Sequence, residues 1–320
     1  MNLTPIAVIG VGQFGQNHCR VIHDSATARL AAVVDIQPAR AAEVAAQYAT
    51  RSFTDIQELK GYAQAAVLAV PTSAHEEVGS KLLEAGFDLL IEKPIAADSA
   101  SAARLIAAAE RRGRILQVGH LERFNPAVIE LERRASLPLF FEIHRLNLFS
   151  PRSLDIDVVL DLMIHDVDIV QAMAKAEPVE IRAAGISILS PRVDIANVRL
   201  QFPNGCVANL TASRVSTERV RKLRLFQPQQ YLSLDYGRQE LGVFSVGDGR
   251  QIGFEQAPVV KAEPLQLQLE GFLDCIKTRT PPKCSGPAAR QSLGVALAIV
   301  DKIKEHSEIV SHSLVAGWKP

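Results

Sequence analysis

With 320 residues, the chain is long for one compact core and comfortable for two domains. Lys plus Arg and Asp plus Glu number 35 each, so there is no net basic field to hold nucleic acid. Hydrophobic residues at 48% and charged residues at 22% are average for a soluble globular protein, and no apolar run approaches the roughly 20 residues that span a bilayer.

The opening stretch "MNLTPIAVIG" has no basic segment and no cleavage site, so it is expected as a core strand rather than a secretory signal. From residue 5 to about 120, apolar runs alternate with helical spacing. "IAVIG" ends in glycine and leads into a helix from Phe14 to about Asp24. "RLAAVVD" is the next strand, and "PARAAEVAAQYA" is a helix with Pro38 suited to its first turn. "AAVLAV" (65–70), "FDLLIE" (87–92) and "RILQVG" (114–119) are further strands. Between them, "SAHEEVGSKLLEAG" is a helix ended by Gly86, and "SASAARLIAAAERRG" is one opened by Asp98 or Ser99 and ended by Gly113. Strands so uniformly apolar are covered on both faces, which predicts a doubly wound parallel α/β sheet with helices on each side.

After about residue 122 the rhythm changes. A helix over about 126–135 precedes "LPLFFEIHRLNLF", and a long helical segment runs from about Asp157 to Ala174. From 178 to about 255, strand-like runs follow one another without helices, with "PNG" at 203–205 as a hairpin turn. Two helices, about 264–278 and 286–305, close the chain. This half is expected to be α+β with a large, mainly antiparallel sheet, giving domains of 1–121 and 122–320. Cys19, Cys206, Cys275 and Cys284 have no metal-ligand spacing and are expected as reduced thiols of a cytoplasmic protein.

"GVGQFG" at 10–15 fits G-x-G-x-x-G and sits after a strand and before a helix, the context in which the motif binds a dinucleotide. Gly10 permits the tight turn, Gly12 a close approach of backbone to pyrophosphate, and Gly15 close helix–strand packing. The helix N-terminus offers N–H groups and partial positive charge to phosphate. Asp35, 20 residues after Gly15, ends the next strand, where a carboxylate accepts ribose hydroxyls and repels a 2′-phosphate. The expected cofactor is NAD rather than NADP, with Arg40 the one nearby cation that leaves NADP open.

"EKP" at Glu92–Pro94 falls at the carboxyl end of a strand, where open α/β sheets bind ligands, so Lys93 is expected beside the cofactor. Pro94 invites a cis Lys93–Pro94 bond. "DLMIHDVD" sets Asp161 and His165 four apart on one helical face, with Asp168 three beyond. The surroundings are apolar, a setting in which a carboxylate–imidazole couple is costly unless paired or useful. A satisfied buried histidine is the structural alternative. No ligand cluster suggests a metal.

These stretches together resemble the glucose-fructose oxidoreductase / inositol dehydrogenase / MocA-like family over essentially the whole chain, with "PTSAH" at 71–75 also fitting. The resemblance implies Lys93, Asp161 and His165 as the catalytic group. It also implies a cofactor set of Gly10, Gly12, Gln13, Phe14, Gly15, Asp35, Pro71, Thr72, His75, Glu92 and Lys93. His18 matches a histidine often found after the glycine loop in that family. The glycine-rich run that often precedes the catalytic Asp is here "DIDVVL", a departure that bears on polyol specificity. "GHLERFNPAV" and "DVVLDLMIHDVDI" are similar to a subgroup, the bacterial UDP-N-acetylglucosamine 3-dehydrogenases, which work beside an aminotransferase toward a diamino sugar for lipid A. A nucleotide sugar needs diphosphate partners, for which Arg123, Arg145, Arg152 and Arg214 are candidates, with Asn125 lining the same pocket.

The expected reaction is oxidation of a secondary sugar alcohol. His165 would accept the hydroxyl proton, Asp161 would orient it, and Lys93 would donate to the same oxygen. The reversed assignment of Lys93 and His165 is open at this stage. So are an inositol or simple-sugar dehydrogenase and a non-catalytic dinucleotide-binding regulator. The helix-free face of the antiparallel sheet predicts a homodimer or homotetramer.

Overall fold

The computed structural model describes residues 3–149, 156–247, 249 and 251–313. The chain divides into two compact units, Met1–Phe124 with Ala262–Arg290 and Asn125–Lys261 with Gln291–Pro320.

The first unit begins with β1 (Thr4–Ile9), α1 (Gln13–His23), β2 (Ala28–Val34), α2 (Pro38–Gln47), β3 (Arg51–Phe53) and β4 (Ala65–Leu68). It continues with α3 (His75–Glu84), β5 (Asp88–Ile91), α4 (Ser99–Arg112) and β6 (Leu116–Val118). The six strands lie in the order β3-β2-β1-β4-β5-β6, and every pairing is parallel. This is the Rossmann-type, doubly wound sheet expected from the apolar runs. Its order switches between β1 and β4, the point beyond whose carboxyl ends such sheets bind ligands. β3 had no signal, because its three residues are largely exposed and include Arg51 and Ser52. The helix ends follow local chemistry. Pro38 opens α2, the Asp98 carboxylate accepts from the N–H groups of Ala100 and Ser101 to cap α4, and Gly113 closes α4 in the left-handed conformation.

The second unit starts with α5 (Pro126–Arg134) and β7 (Phe140–Leu148). A π-helical turn over Val159–Met163 then runs into α6 (Ile164–Ala174). There follow β8 (Glu180–Ile186), β9 (Ile195–Gln201), β10 (Val207–Ser216), β11 (Val220–Gln227), β12 (Gln230–Asp235), β13 (Glu240–Val246) and β14 (Ile252–Gln256). They form one sheet in the order β14-β13-β12-β11-β7-β10-β9-β8, antiparallel throughout except for β7 beside β10. The expected hairpin joins β9 to β10, with the Gly205 N–H donating to the Phe202 carbonyl. Alternate strand residues, among them Phe141, Ile143, Leu223, Leu225 and Leu232, pack with Val128, Leu131, Val167 and Val170 of the helices. On the other face, Glu142 and His144 of β7 are half-buried, and Arg224 of β11 and Phe254 of β14 are exposed.

Two helices complete the chain, α7 (Pro264–Thr278) and α8 (Gly286–Ser313). Sequence reasoning gave everything after residue 121 to the second domain, whereas residues 262–290 count with the first unit. Leu265, Leu269 and Phe272 of α7 join Ile6, Val8, Ile22 and Val67 in one core. An amphipathic pattern reveals that a helix buries a face, but not which sheet receives it. Among the described residues, no helix is long and apolar enough to cross a membrane.

Candidate active site

The glycine loop of the first unit is shaped for a guest. Gly10 has φ +82°, and a Cβ there would lie 2.7 Å from the Ala69 carbonyl oxygen. A Cβ on Gly15 would collide with the Gly10 carbonyl. A Cβ on Gly12 would meet nothing within 4 Å, so the space over that residue is open to a ligand. Gly12 is also the N-cap of α1, where no side chain caps the helix and no acidic residue occupies the first turn. Backbone N–H groups and the helix dipole are therefore directed at this space, which suits a pyrophosphate. Gln13 and Phe14 are exposed beside it. Asp35 follows β2 directly. Its Oδ2 accepts the Val11 N–H at 3.0 Å and its Oδ1 the Gln37 N–H at 2.9 Å. A carboxylate has about four lone-pair sites, so two ribose hydroxyls can still be accepted. Arg40 Nη1 is 3.7 Å from Oδ2, and Ile36 beside Asp35 is 89% exposed.

Lys93 is half-buried just beyond β5, and the Lys93–Pro94 peptide is cis. The residues around it are closely held. His75 of the "PTSAH" stretch is fully buried, with Nδ1 2.9 Å from the Pro94 carbonyl oxygen and Nε2 3.0 Å from that of Val70. Burial pushes its pKa below the ordinary 6.5, while the carbonyls of Val70 and Pro94 pull the other way. This histidine is thus engaged with backbone. Exposed Pro71 and half-buried Thr72 present the nearby surface. Glu92 is buried, with Oε1 2.7 Å from His18 Nε2, and its Oε2 accepts the Lys93 N–H at 3.3 Å. No local pattern could have revealed that pairing, since the partners are 74 residues apart.

In the second unit, Asp161 lies in the π turn and His165 in the first turn of α6. The sequence reading made this stretch one uninterrupted helix. The wider turn keeps the two side chains on one face, because in either winding a residue returns to within about 40° of the one four before it. π turns also recur at functional sites. Both side chains are half-buried. The neighbouring carboxylates are used inside the fold: Asp166 in a bidentate pair with Arg145 at 2.7–2.8 Å, and Asp168 as acceptor of the Ser292 hydroxyl at 3.0 Å. Asp157, also half-buried, accepts the Val193 N–H at 3.0 Å.

The candidate diphosphate partners divide accordingly. Arg145 is not available, since its side chain is 3% exposed and locked to Asp166 under the Tyr236 ring. Arg214 is also buried, donating to the Ile156 carbonyl and lying 3.8 Å from the buried Asp194. Spacing does not separate such structural arginines from ligand-binding ones. Asn125 is the N-cap of α5, accepting from the Ala127 N–H and donating to the Tyr236 carbonyl at 3.0 Å. Arg123 is buried in the first unit, with its carbonyl accepting from Lys283. Arg152 lies outside the described residues.

Residues 4–120 match the oxidoreductase family with an NAD-binding Rossmann fold, and residues 144–228 match the GFO/IDH/MocA C-terminal domain. The UDP-N-acetylglucosamine 3-dehydrogenase of Acidithiobacillus ferrooxidans is 38% identical over 298 residues, which is 91% of this chain and 95% of its own. Its solved structure has a TM-score of 0.90 at 37% identity, covering 95% of this chain and 99% of its own. The inositol 2-dehydrogenase of Rhizobium meliloti is 23% identical, covering 94% of this chain and 97% of its own.

Proposed function

Because the chain belongs to the Gfo/Idh/MocA family of NAD-binding oxidoreductases, we propose that this dehydrogenase oxidises the 3-hydroxyl of UDP-N-acetylglucosamine to the 3-keto sugar. One observation carries the choice of substrate: 38% identity, over nearly the full length of both chains, to a UDP-N-acetylglucosamine 3-dehydrogenase. Bound NAD supplies the hydride acceptor. The open space over Gly12, the uncapped start of α1 and the carboxylate of Asp35 are the features that would hold it.

His165 takes the hydroxyl proton in this reading, Asp161 orients the imidazole and stabilises it once charged, and Lys93 donates a hydrogen bond to the same oxygen. The reversed roles of Lys93 and His165 use the same residues. With Arg145 and Arg214 used inside the fold, Arg123 and Arg152 remain of the four candidate arginines for the diphosphate. The keto product is a substrate for an aminotransferase, which would set the chain in the making of a diamino sugar for lipid A. Four buried cysteine thiols suit the reducing cytoplasm.

The second reading, an inositol or simple-sugar dehydrogenase, draws on the 23% identical inositol enzyme. NADH formation measured over a panel of UDP-sugars and free polyols, with an aminotransferase or ketone trap present, separates the two. UDP-N-acetylglucosamine should turn over, and Lys93→Ala and His165→Ala should each lower kcat by about 10² to 10⁴ while NAD still binds. Turnover of myo-inositol but not of the UDP-sugar would select the second reading. Near-normal kcat in both variants would remove the residue roles.

The oligomer belongs to the same proposal. Directly opposed residues on this outer sheet face build an aromatic ladder, Phe140–Phe226–Tyr231–Phe244–Phe254, with ring centroids 4.8–5.8 Å apart. β14 at the sheet edge is exposed along its whole length, with Phe254 61% exposed. A contiguous apolar row beside an uncovered strand edge is a surface that a second copy would bury.

A further inference from the structure

We propose that His18 and Glu92 are the positioning pair of Lys93, a role that rests on the reading of Lys93 as a group touching the reacting oxygen. Glu92 is the residue before Lys93, and its carboxylate has two partners. Oε1 is 2.7 Å from His18 Nε2, and Oε2 accepts the backbone N–H of Lys93 itself at 3.3 Å. A Cβ built on Gly119 would come within 2.8–3.0 Å of its atoms, so the carboxylate fills the space that a side chain at 119 would need. The residue on the other side of Lys93 is also held, through the Pro94 carbonyl against His75. Lys93 is thus the half-buried member of a run whose two neighbours are each tied by a buried imidazole.

His18 adds a second link. It stands in α1, the helix whose uncapped start faces the open space over Gly12, and its ring centroid is 6.2 Å from that of exposed Phe14. One pair therefore joins the dinucleotide-binding helix to the lysine at the end of β5. Stability alone does not account for it. A buried carboxylate–imidazole pair loses hydration that apolar side chains of similar volume would not lose, and such replacements are often neutral or stabilising. What the apolar replacement cannot do is give the Lys93 backbone a fixed direction.

The test compares His18→Leu, His18→Gln, Glu92→Gln and Lys93→Ala with the unmodified enzyme. The assay uses the sugar that forms NADH fastest in the panel above. It measures kcat, KM, the Kd of NADH by its fluorescence, and Tm. His18→Leu should lower kcat at least about tenfold while the NADH Kd moves less than about threefold, and it should lower Tm as well, because Glu92 is left buried without its partner. His18→Gln, which can still donate an N–H to Glu92, should recover most of kcat. Glu92→Gln, nearly isosteric, should follow His18→Leu in sign. An unchanged kcat in His18→Leu, with Lys93→Ala inactive, overturns the pair alone. Parallel loss of kcat, NADH binding and Tm in every His18 and Glu92 variant, Gln included, also overturns it by making the pair structural. An active Lys93→Ala, or no turnover of any panel member, instead removes the reading on which the pair rests.

Discussion

At Asp35 one carboxylate accepts two backbone N–H groups while Arg40 stands 3.7 Å from Oδ2, so the same residue shapes the glycine loop and restrains the nearby cation. Its charge would repel a 2′-phosphate, which Arg40 would attract. Asp35→Asn removes the charge and keeps one acceptor for the loop, while its amide NH2 replaces the second acceptor. It should cut kcat/KM for NAD about tenfold or more and raise the NADP-to-NAD ratio, as expected for loss of a hydrogen bond to a charged group worth about 1.5–3 kcal/mol. Parallel NAD and NADP assays check this, and an unchanged ratio would contradict it. His75 gives a pH signature. Burial depresses its folded pKa below 6.5, so the unfolded chain takes up a proton first as pH falls. The stability it contributes is complete above about pH 6.5 and is lost as pH falls toward the folded value. Urea unfolding from about pH 8 to pH 5 should show that loss, reduced in His75→Gln, and equal slopes for both proteins would refute it.

The long-range ties between elements are the ones with large energies. Arg145 on β7 and Asp166 on α6 form a two-pronged pair whose side chains are 3% and 2% exposed. Removing one partner leaves a buried charge uncompensated, at a cost of about 3–5 kcal/mol, whereas replacing both by apolar residues is often neutral. Arg145→Met should therefore destabilise the protein by that amount in urea unfolding, and Arg145→Met with Asp166→Leu should recover most of it. A loss below about 1 kcal/mol in the single variant would show the pair to be unimportant. Helix starts were legible because their signals are local: Pro38, Asp98, Pro126 and Pro264 each sit at or before the first turn of their helices. The π turn over Val159–Met163 was not, because packing rather than composition decides where one extra residue enters a turn.

Across the whole molecule, each unit has its own apolar core, one around Ile6, Val8 and Phe272 and the other around Phe141, Phe202 and Leu225. The aromatic ladder belongs to neither core. If a second copy covers it, the unmodified chain is larger than a monomer by light scattering at micromolar concentration. Phe244→Glu, which would set a charge in the middle of that row, should then shift it to monomer without unfolding it. A monomeric unmodified protein would end the proposal.

By itself the sequence determined what depends on neighbours along the chain: the strand-and-glycine-loop-and-helix unit with Asp35 after it, the alternation that makes a doubly wound sheet, and the Asp161–His165 spacing. Period and cap signals extend over a few residues, and these features need no more. Only the tertiary structure decided that α7 is buried with the first unit, that Arg145 answers Asp166 rather than a phosphate, and that His18 meets Glu92 across 74 residues. A guanidinium or an imidazole has the same local appearance whether it faces a ligand or a buried carboxylate. Its partner is chosen by which strands and helices the crossovers bring together.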